Sequence, residues 1–275
     1  NAVRKHIAMV GGGRLAEFIH PGAALVNLTV SDVIGDPLDY ITDPTVPDTS
    51  TLQDARETLT RYGLWSRVPA SVAEFLREGG AARETPKHCH RKVSRNVLLL
   101  SASASCEGAA RRGVELGLNP MVLSTQFEGE SQQLGGAFAA IASEVRRTSR
   151  PIGMPALLIG GGETIVCLGE GPVGRGGPNQ EFAAAAAVAL DGFDDVLVAG
   201  LDSDGTDGPG DIAGAMVDGD SMARARQLDI DLRRELRHHN VSPALMRLGD
   251  AIMTGHTGTN VNDLKFAIVG TPHRN

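Results

Sequence analysis

Aromatic residues are scarce in this chain: one Trp, two Tyr and seven Phe, 4% of the sequence. So few rings argue against a base-stacking platform for nucleic acid. An excess of positive charge is also missing. The formal net charge of -7 offers polyanions no general attraction, so a phosphorylated ligand needs a local positive site. Cysteine is sparse: Cys89, Cys106 and Cys167 are scattered without zinc-ligand spacing. An odd count with no framework points to reduced thiols and a cytoplasmic setting. The local cluster His88-Cys89-His90 lacks a second ligand pair and reads as an exposed loop. No apolar run reaches membrane-spanning length, and no signal peptide is expected. The phosphate-loop pattern G-x-x-x-x-G-K-[ST] does not occur. Neither nucleic acid nor membrane is an expected partner.

Glycine is abundant, with 34 residues in 275, a length sufficient for two domains. Abundant glycine and alanine favour tightly packed α/β layers. Residues 24–30, 97–102, 120–124, 155–159, 164–168, 196–199 and 264–269 read as strands. Helical patterns cover 51–62, 71–77, 106–116, 129–147, 179–190, 218–228 and 231–239, with Thr51 and Asp54 forming a capping box. This β-α-β-α order implies parallel sheets with right-handed crossovers. The polar break at 147–151 divides the chain into 1–150 and 151–275. Asn1 is not an initiator Met, and its neighbours read as mid-helix, so truncation at the N-terminus is expected.

The stretch 199–215, AGLDSDGTDGPGDIAGA, follows a buried strand and places Asp202, Asp204, Asp207 and Asp211 among glycines. Beyond the carboxyl end of a strand, such a loop is either a ligand site or a solvated turn. It fails as a calcium loop, because Ala213 stands where the Glu should be. Upstream, Gly169 to Gly174 formally matches G-x-G-x-x-G, but Pro172 is unusual there and the helix opens only near Asn179. The same run presents Arg175 beside that helix N-terminus, where N–H groups and a guanidinium could converge on an anion. Arg4, Lys5, His6 and Arg14 make a basic group suited to a carboxylate or phosphate. Asp32 is the first acid after the 24–30 strand. Ser101 and Ser103 read as helix starters or binding groups. His238 and His239 sit at a helix end, where positive charge is favoured.

In order, GGGETIV, GRGGPNQEF, LDSDGTDGPGDIAGA and TGHTGTNVNDL resemble the C-terminal MOFRL domain of the glycerate 2-kinase family, whose older members were labelled hydroxypyruvate reductase. NAVRKHI, GGRLA, SDVIGD and PTVPD resemble the later part of that family's N-terminal domain. The resemblance implies two Rossmann-like, three-layer α/β domains with mainly parallel sheets, the first incomplete, and an active site in the cleft between them. It implies transfer of the γ-phosphoryl group of ATP, with Mg²⁺, to the 2-hydroxyl of D-glycerate, giving 2-phosphoglycerate. Carried over by position, Arg175 stabilises the transferring phosphate, and Asp204 and Asp207 hold Mg²⁺ or orient the hydroxyl. Arg4 and Lys5 bind the substrate carboxylate, with Asp32 also on the substrate side. Gly161, Gly174, Gly176, Gly177, Asn179, Glu181, Thr257, Gly258, Thr259, Asn260 and Asn262 line the nucleotide and its phosphates.

Three departures stand out. Pro178 replaces a second arginine, Asp43 stands where Gly precedes Pro, and Ser103-Ala104-Ser105 replaces an Asn-Arg-Asp-like segment. The family's Ser-Gly-rich loop and active-site lysine would precede Asn1. Two alternatives stay open: an NAD(P)-dependent hydroxypyruvate reductase, and a non-catalytic nucleotide-binding remnant. Homo-oligomerisation is left open as well.

Overall fold

The computed structural model describes residues 1–40, 44–88 and 93–270. Asp43 and the Cys89–His90 pair lie outside these residues. The chain forms two compact units, Asn1–Leu99 and Leu100–Asn275.

In the first unit, α1 (Ala2–Ile7), α2 (Leu52–Arg61) and α3 (Ala70–Glu78) pack around Leu52, Ala55, Leu59 and Leu76. Helix α2 starts at the expected capping box: Thr51 accepts from the Asp54 N–H, and the Asp54 carboxylate accepts from the Thr51 N–H. Strands β1 (Leu25–Val30) and β2 (Val93–Leu100) form a two-stranded sheet. The basic group turns inward. Lys5 and His6 are buried; Lys5 Nζ lies 2.5 Å from Asp48 Oδ1, and His6 Nε2 lies 2.7 Å from Glu84 Oε1.

The second unit is α/β, as expected, but its six-stranded sheet is mixed. It comprises β3 (Asn119–Phe127), β4 (Ala156–Gly162), β5 (Val196–Asp202), β6 (Gly214–Asp218), β7 (Ala251–Ile252) and β8 (Asp263–Val269) in the order β3-β4-β8-β5-β6-β7. Only β3–β4 is a parallel pair; every other neighbour is antiparallel. The expectation of mainly parallel sheets is corrected by β8. That strand slips between β4 and β5, which would otherwise be parallel neighbours joined by a helical crossover. The polar break at 147–151 falls inside this unit, because β3 before it pairs with β4 after it. The structural division lies at Leu99/Leu100 instead. The strand expected over 164–168 is also absent: only Ile165 makes a bridge, to Glu130. Gly160 to Gly162 are the last residues of β4.

Helices α4 (Ala102–Glu115), α5 (Ser131–Thr148), α6 (Pro178–Ala189), α7 (Ser221–Gln227), α8 (Leu232–Arg237) and α9 (Val241–Leu248) cover the sheet. Ser101 is the buried N-cap residue of α4. Helix α6 is apolar nearly all round, as a central helix must be. It sits close to α5 because Gly135 has no side chain; a Cβ there would stand 2.1 Å from the Phe182 carbonyl oxygen. Phe127, Phe138 and Phe182 meet edge to face, with centroids 5.6 and 5.2 Å apart. Such packing fixes where α6 begins, and the candidate site is built around that point. No helix among the described residues is long and apolar enough to cross a membrane.

Candidate functional site

Three strand ends meet at one edge of the second unit. Asp263, the first residue of β8, lies opposite Gly162 of β4 on one side and Asp202 of β5 on the other. Beyond Asp202 the chain makes the Asp/Gly loop, 203–213. Local hydrogen bonds shape it: the Asp204 N–H donates to Asp202 Oδ1 at 3.0 Å, and Thr206 donates to Asp204 Oδ1 from both N–H and hydroxyl. The loop is tied to 254–262. Thr257 donates its N–H to the Asp204 carbonyl and its hydroxyl to that of Ser203, and the Val261 N–H donates to Ser203 Oγ. Gly205, at φ +94, permits this, since a Cβ there would stand 2.0 Å from the Gly255 carbonyl oxygen.

Asp207 turns back into the protein. It is buried, and its carboxylate accepts from the N–H groups of Asn179 and Gln180, both at 2.9 Å, and from both side-chain amides. The N-terminus of α6, expected to hold a ligand anion, therefore holds the protein's own carboxylate. The expectation that Asp207 ligates Mg²⁺ meets the same correction: both of its oxygens already accept hydrogen bonds. Among the described residues, no group of three His, Cys, Asp or Glu side chains could hold a metal ion. The Asp204–Asp207 pair does not fit as a magnesium cradle.

One cation lies beneath these carboxylates. Lys265 is fully buried, its Nζ 2.9 Å from Asp263 Oδ2 and 3.3 Å from Asn179 Oδ1. It does not neutralise the whole cluster. Burial, together with the charges of Asp263, Asp204 and Asp207, pushes the Asp202 carboxyl up to about 7, although the Asp204 N–H pulls the other way. Burial likewise raises Asp207 to about 6, against the hydrogen bonds from Asn179 and Gln180.

The glycine run 174–177 has a different purpose from the expected one. A Cβ at Gly177 would stand 2.2 Å from the Asp207 carbonyl oxygen, and one at Gly174 would stand 2.3 Å from the Asn240 Cβ. These glycines admit the protein's own backbone and side chains. Gly161 is a buried packing residue too, 2.7 Å from Cys106 Sγ by the same measure. Arg175 is held by its backbone: its N–H donates to Asn240 Oδ1, and its carbonyl accepts from the Ser242 N–H. Its side chain is exposed, and no carboxylate among the described residues forms an ion pair with it. It borders a cavity of about 290 Å³ shared with Gly176, Gln180, Asp207, Asp211 and Ser242.

Glu181 is buried, accepting from Gln132 Nε2 at 2.7 Å and bonded to His239 Nδ1 at 2.9 Å. The helix-end position of His239 is real, but the half-buried residue also pairs with the buried Glu181, a contact that sequence reasoning missed. Thr257, Gly258, Thr259 and Asn260 are exposed. Asn262 is buried at φ 67, and its Nδ2 lacks a partner among the described residues. In the first unit, Arg4 and Asp32 are exposed, whereas Lys5 commits its ammonium to Asp48 and the Asp39 carbonyl. Lys5 is a structural cation, not one offered to a substrate carboxylate. Lys265 was also missed; its signal is a lone charge inside the otherwise apolar strand LKFAIV.

Comparison with known proteins agrees with the motifs. The MOFRL family matches residues 156–263, and a domain of unknown function, DUF4147, matches residues 1–77. A glycerate 2-kinase of Pyrococcus horikoshii is 42% identical over 98% of this chain, which spans 61% of that protein. A protein of Agrobacterium vitis named putative hydroxypyruvate reductase is 40% identical over 98% of this chain and 69% of its own length. The crystal structure of glycerate kinase from Thermotoga maritima superposes with a TM-score of 0.83 at 38% identity, covering 98% of this chain and 62% of that one. Fold, ordered motifs and identity converge: this chain belongs to the glycerate 2-kinase family, with a MOFRL domain in its second unit.

Proposed function

We propose that the protein works as a glycerate 2-kinase, transferring the γ-phosphoryl group of ATP to the 2-hydroxyl of D-glycerate to give 2-phosphoglycerate. One observation carries most weight: the exposed Arg175 guanidinium, held by its backbone at the mouth of a cavity that Asp207 and the Asp/Gly loop also border. Phosphoryl transfer needs positioned positive charge more than covalent chemistry. In this scheme Arg175 stabilises charge on the moving phosphoryl group. Asp202 is the proton acceptor for the 2-hydroxyl, since a carboxyl raised to about 7 suits general-base work near neutral pH. Asp204 orients that hydroxyl, and Thr257 to Asn260 contact phosphates. Arg4 and Asp32 are the substrate-side candidates of the first unit.

A hydroxypyruvate reductase finds less support. The Gly169–Gly174 run does not open a helix; α6 starts at Pro178, and Asp207 covers its N–H groups. The deciding assay gives the protein D-glycerate with ATP and, separately, hydroxypyruvate with NADH. Formation of 2-phosphoglycerate is expected, falling about 100-fold or more in Arg175→Ala with little change in melting temperature. Turnover unaffected by that substitution would remove Arg175 from the scheme. ATP binding without product would favour the remnant, and NADH oxidation would favour the reductase.

A further inference from the structure

Between α8 and α9 the chain runs His238-His239-Asn240, and Asn240 occupies the N-cap position of α9. Asparagine is a preferred N-cap because its side-chain oxygen accepts from an N–H group of the helix's first turn. Asn240 does not do this: its side chain makes no capping hydrogen bond. The neighbouring residues explain why. The third residue of α9 is Pro243, which has no N–H to offer. The N–H of the second, Ser242, donates to the Arg175 carbonyl at 2.9 Å. A loop carbonyl thus fills the capping place and releases the Asn240 side chain.

That side chain turns to the same loop residue. Asn240 Oδ1 accepts the Arg175 N–H at 3.1 Å, and Nδ2 donates to Glu235 Oε2 on α8. The Asn240 N–H is fixed as well, donating to the Glu235 carbonyl at 2.9 Å. Both polar groups of the Arg175 backbone are therefore engaged by the α8–α9 corner. Its chain neighbours supply little direction of their own, since Gly174 precedes it and Gly176 follows it, and glycine backbone is the least restricted. Arginine also has many rotamers, so where its guanidinium falls depends first on how its Cα is aimed. Here the guanidinium reaches the Asp/Gly loop: a Cβ at Gly210 would stand 3.7 Å from one of its terminal nitrogens. We propose that Asn240 is a positioning residue for Arg175, clamping with the Ser242 N–H the peptide units on either side of that Cα. It acts through Arg175 and needs no contact with substrate. Misplacing a catalytic group by about 1 Å can cost about 100-fold in rate, so one backbone hydrogen bond can matter more to turnover than to stability.

The effect on turnover rests on the kinase function proposed above; the anchor does not, and amide exchange tests it alone. In the full chain, Asn240→Ala is expected to speed hydrogen exchange of the Arg175 amide about tenfold or more, with exchange in β4 and the melting temperature close to the parent's. Turnover of ATP with D-glycerate should fall about tenfold, with KM for glycerate unchanged. The substitution should bring no further loss in an Arg175→Ala background, whereas a merely structural residue would lower turnover by the same factor in both backgrounds. Asn240→Asp combined with Glu235→Gln keeps an acceptor for the Arg175 N–H and reverses the bond to α8, and should restore most of the lost turnover. The proposal is overturned if the Arg175 amide exchanges as in the parent, or if the loss multiplies with that of Arg175→Ala. Faster exchange in Asn240→Ala, with no phosphoglycerate formed even by the parent, would support the anchor and sink the kinase function. Phosphoglycerate formation that Asn240→Ala leaves unchanged would do the reverse.

Discussion

The two units each bury a cluster of charged side chains, and the clusters behave in opposite ways. In the first, burial pushes the Asp48 carboxyl up, but hydrogen bonds from Lys5, Ser50 and Thr85 bring it below its ordinary value. Glu84, with His6, Lys87 and two backbone N–H groups around it, falls to about 2 despite its burial. In the second, Asp202 and Asp207 rise to about 7 and about 6, with Lys265, among the described residues, the one buried cation against Asp202, Asp204, Asp207 and Asp263. A cluster whose charges are matched is a structural clamp. One left with surplus negative charge costs stability and persists where a ligand or a reaction uses it. This contrast separates Lys5, which the sequence offered as a binding residue, from Asp202, which it left without a role.

The contrast can be broken from either side. The largest effect is expected at Lys5→Met, which strands Asp48 as a buried charge and should cost about 3–5 kcal/mol, measurable by urea denaturation. A change within experimental error would mean that the first cluster is not a clamp. Asp207→Ala comes next. It leaves the N–H groups of Asn179 and Gln180 without their acceptor and should cost about 2–3 kcal/mol. If stability instead holds, Asp207 is free for catalysis and the magnesium assignment returns.

The pH dependence has opposite signs in the two units. Asp202 and Asp207 bind more protons folded than unfolded, so the stability they contribute is complete below their ordinary value of 3.8. It is lost as pH rises through about 6 and 7. Glu84 works the other way: its contribution is present above its ordinary 4.5 and lost as pH falls towards about 2. Asp202→Asn should therefore stabilise the protein at pH 8 by about 1 kcal/mol, a figure reduced for the partial exposure of Asp202. A melting temperature lower than the parent's at that pH would show that Lys265 does neutralise the cluster. The smallest effect belongs to the exposed Arg112–Glu115 pair, where Arg112→Ala should change stability by less than about 0.5 kcal/mol. A larger loss would mean that exposed pairs count in this fold as buried ones do.

Local features were legible in the sequence. The Thr51–Asp54 capping box, the amphipathic face of α5 and the strand before the Asp/Gly loop all depend on residues a few positions apart. The site was legible as a set of motifs, less so as a set of roles. Asp207 reads as an exposed ligand until α6, 28 positions away in the chain, offers it two N–H donors. His239 reads as a helix-end charge because its partner Glu181 is 58 residues distant. The sheet was misjudged for the same reason. Alternating strands and helices suggest parallel order, and nothing in residues 263–269 announces that this strand enters the middle of the sheet. The glycine loop stands out in the sequence, but its glycines admit protein atoms where ligand atoms were expected.

That central strand has a consequence for how the protein is made. A ribosome releases β8 after every other strand of its sheet, yet β8 joins β3–β4 to β5–β6–β7. Until it emerges, the nascent second unit is two half-sheets with unpaired facing edges, the kind of surface that chaperones shield and that pairs wrongly with other chains. Lys265 and Asp263 arrive on the same segment. Completion of the sheet and delivery of the buried cation are thus one event, and the carboxylate edge acquires its geometry only when the last strand of the sheet joins.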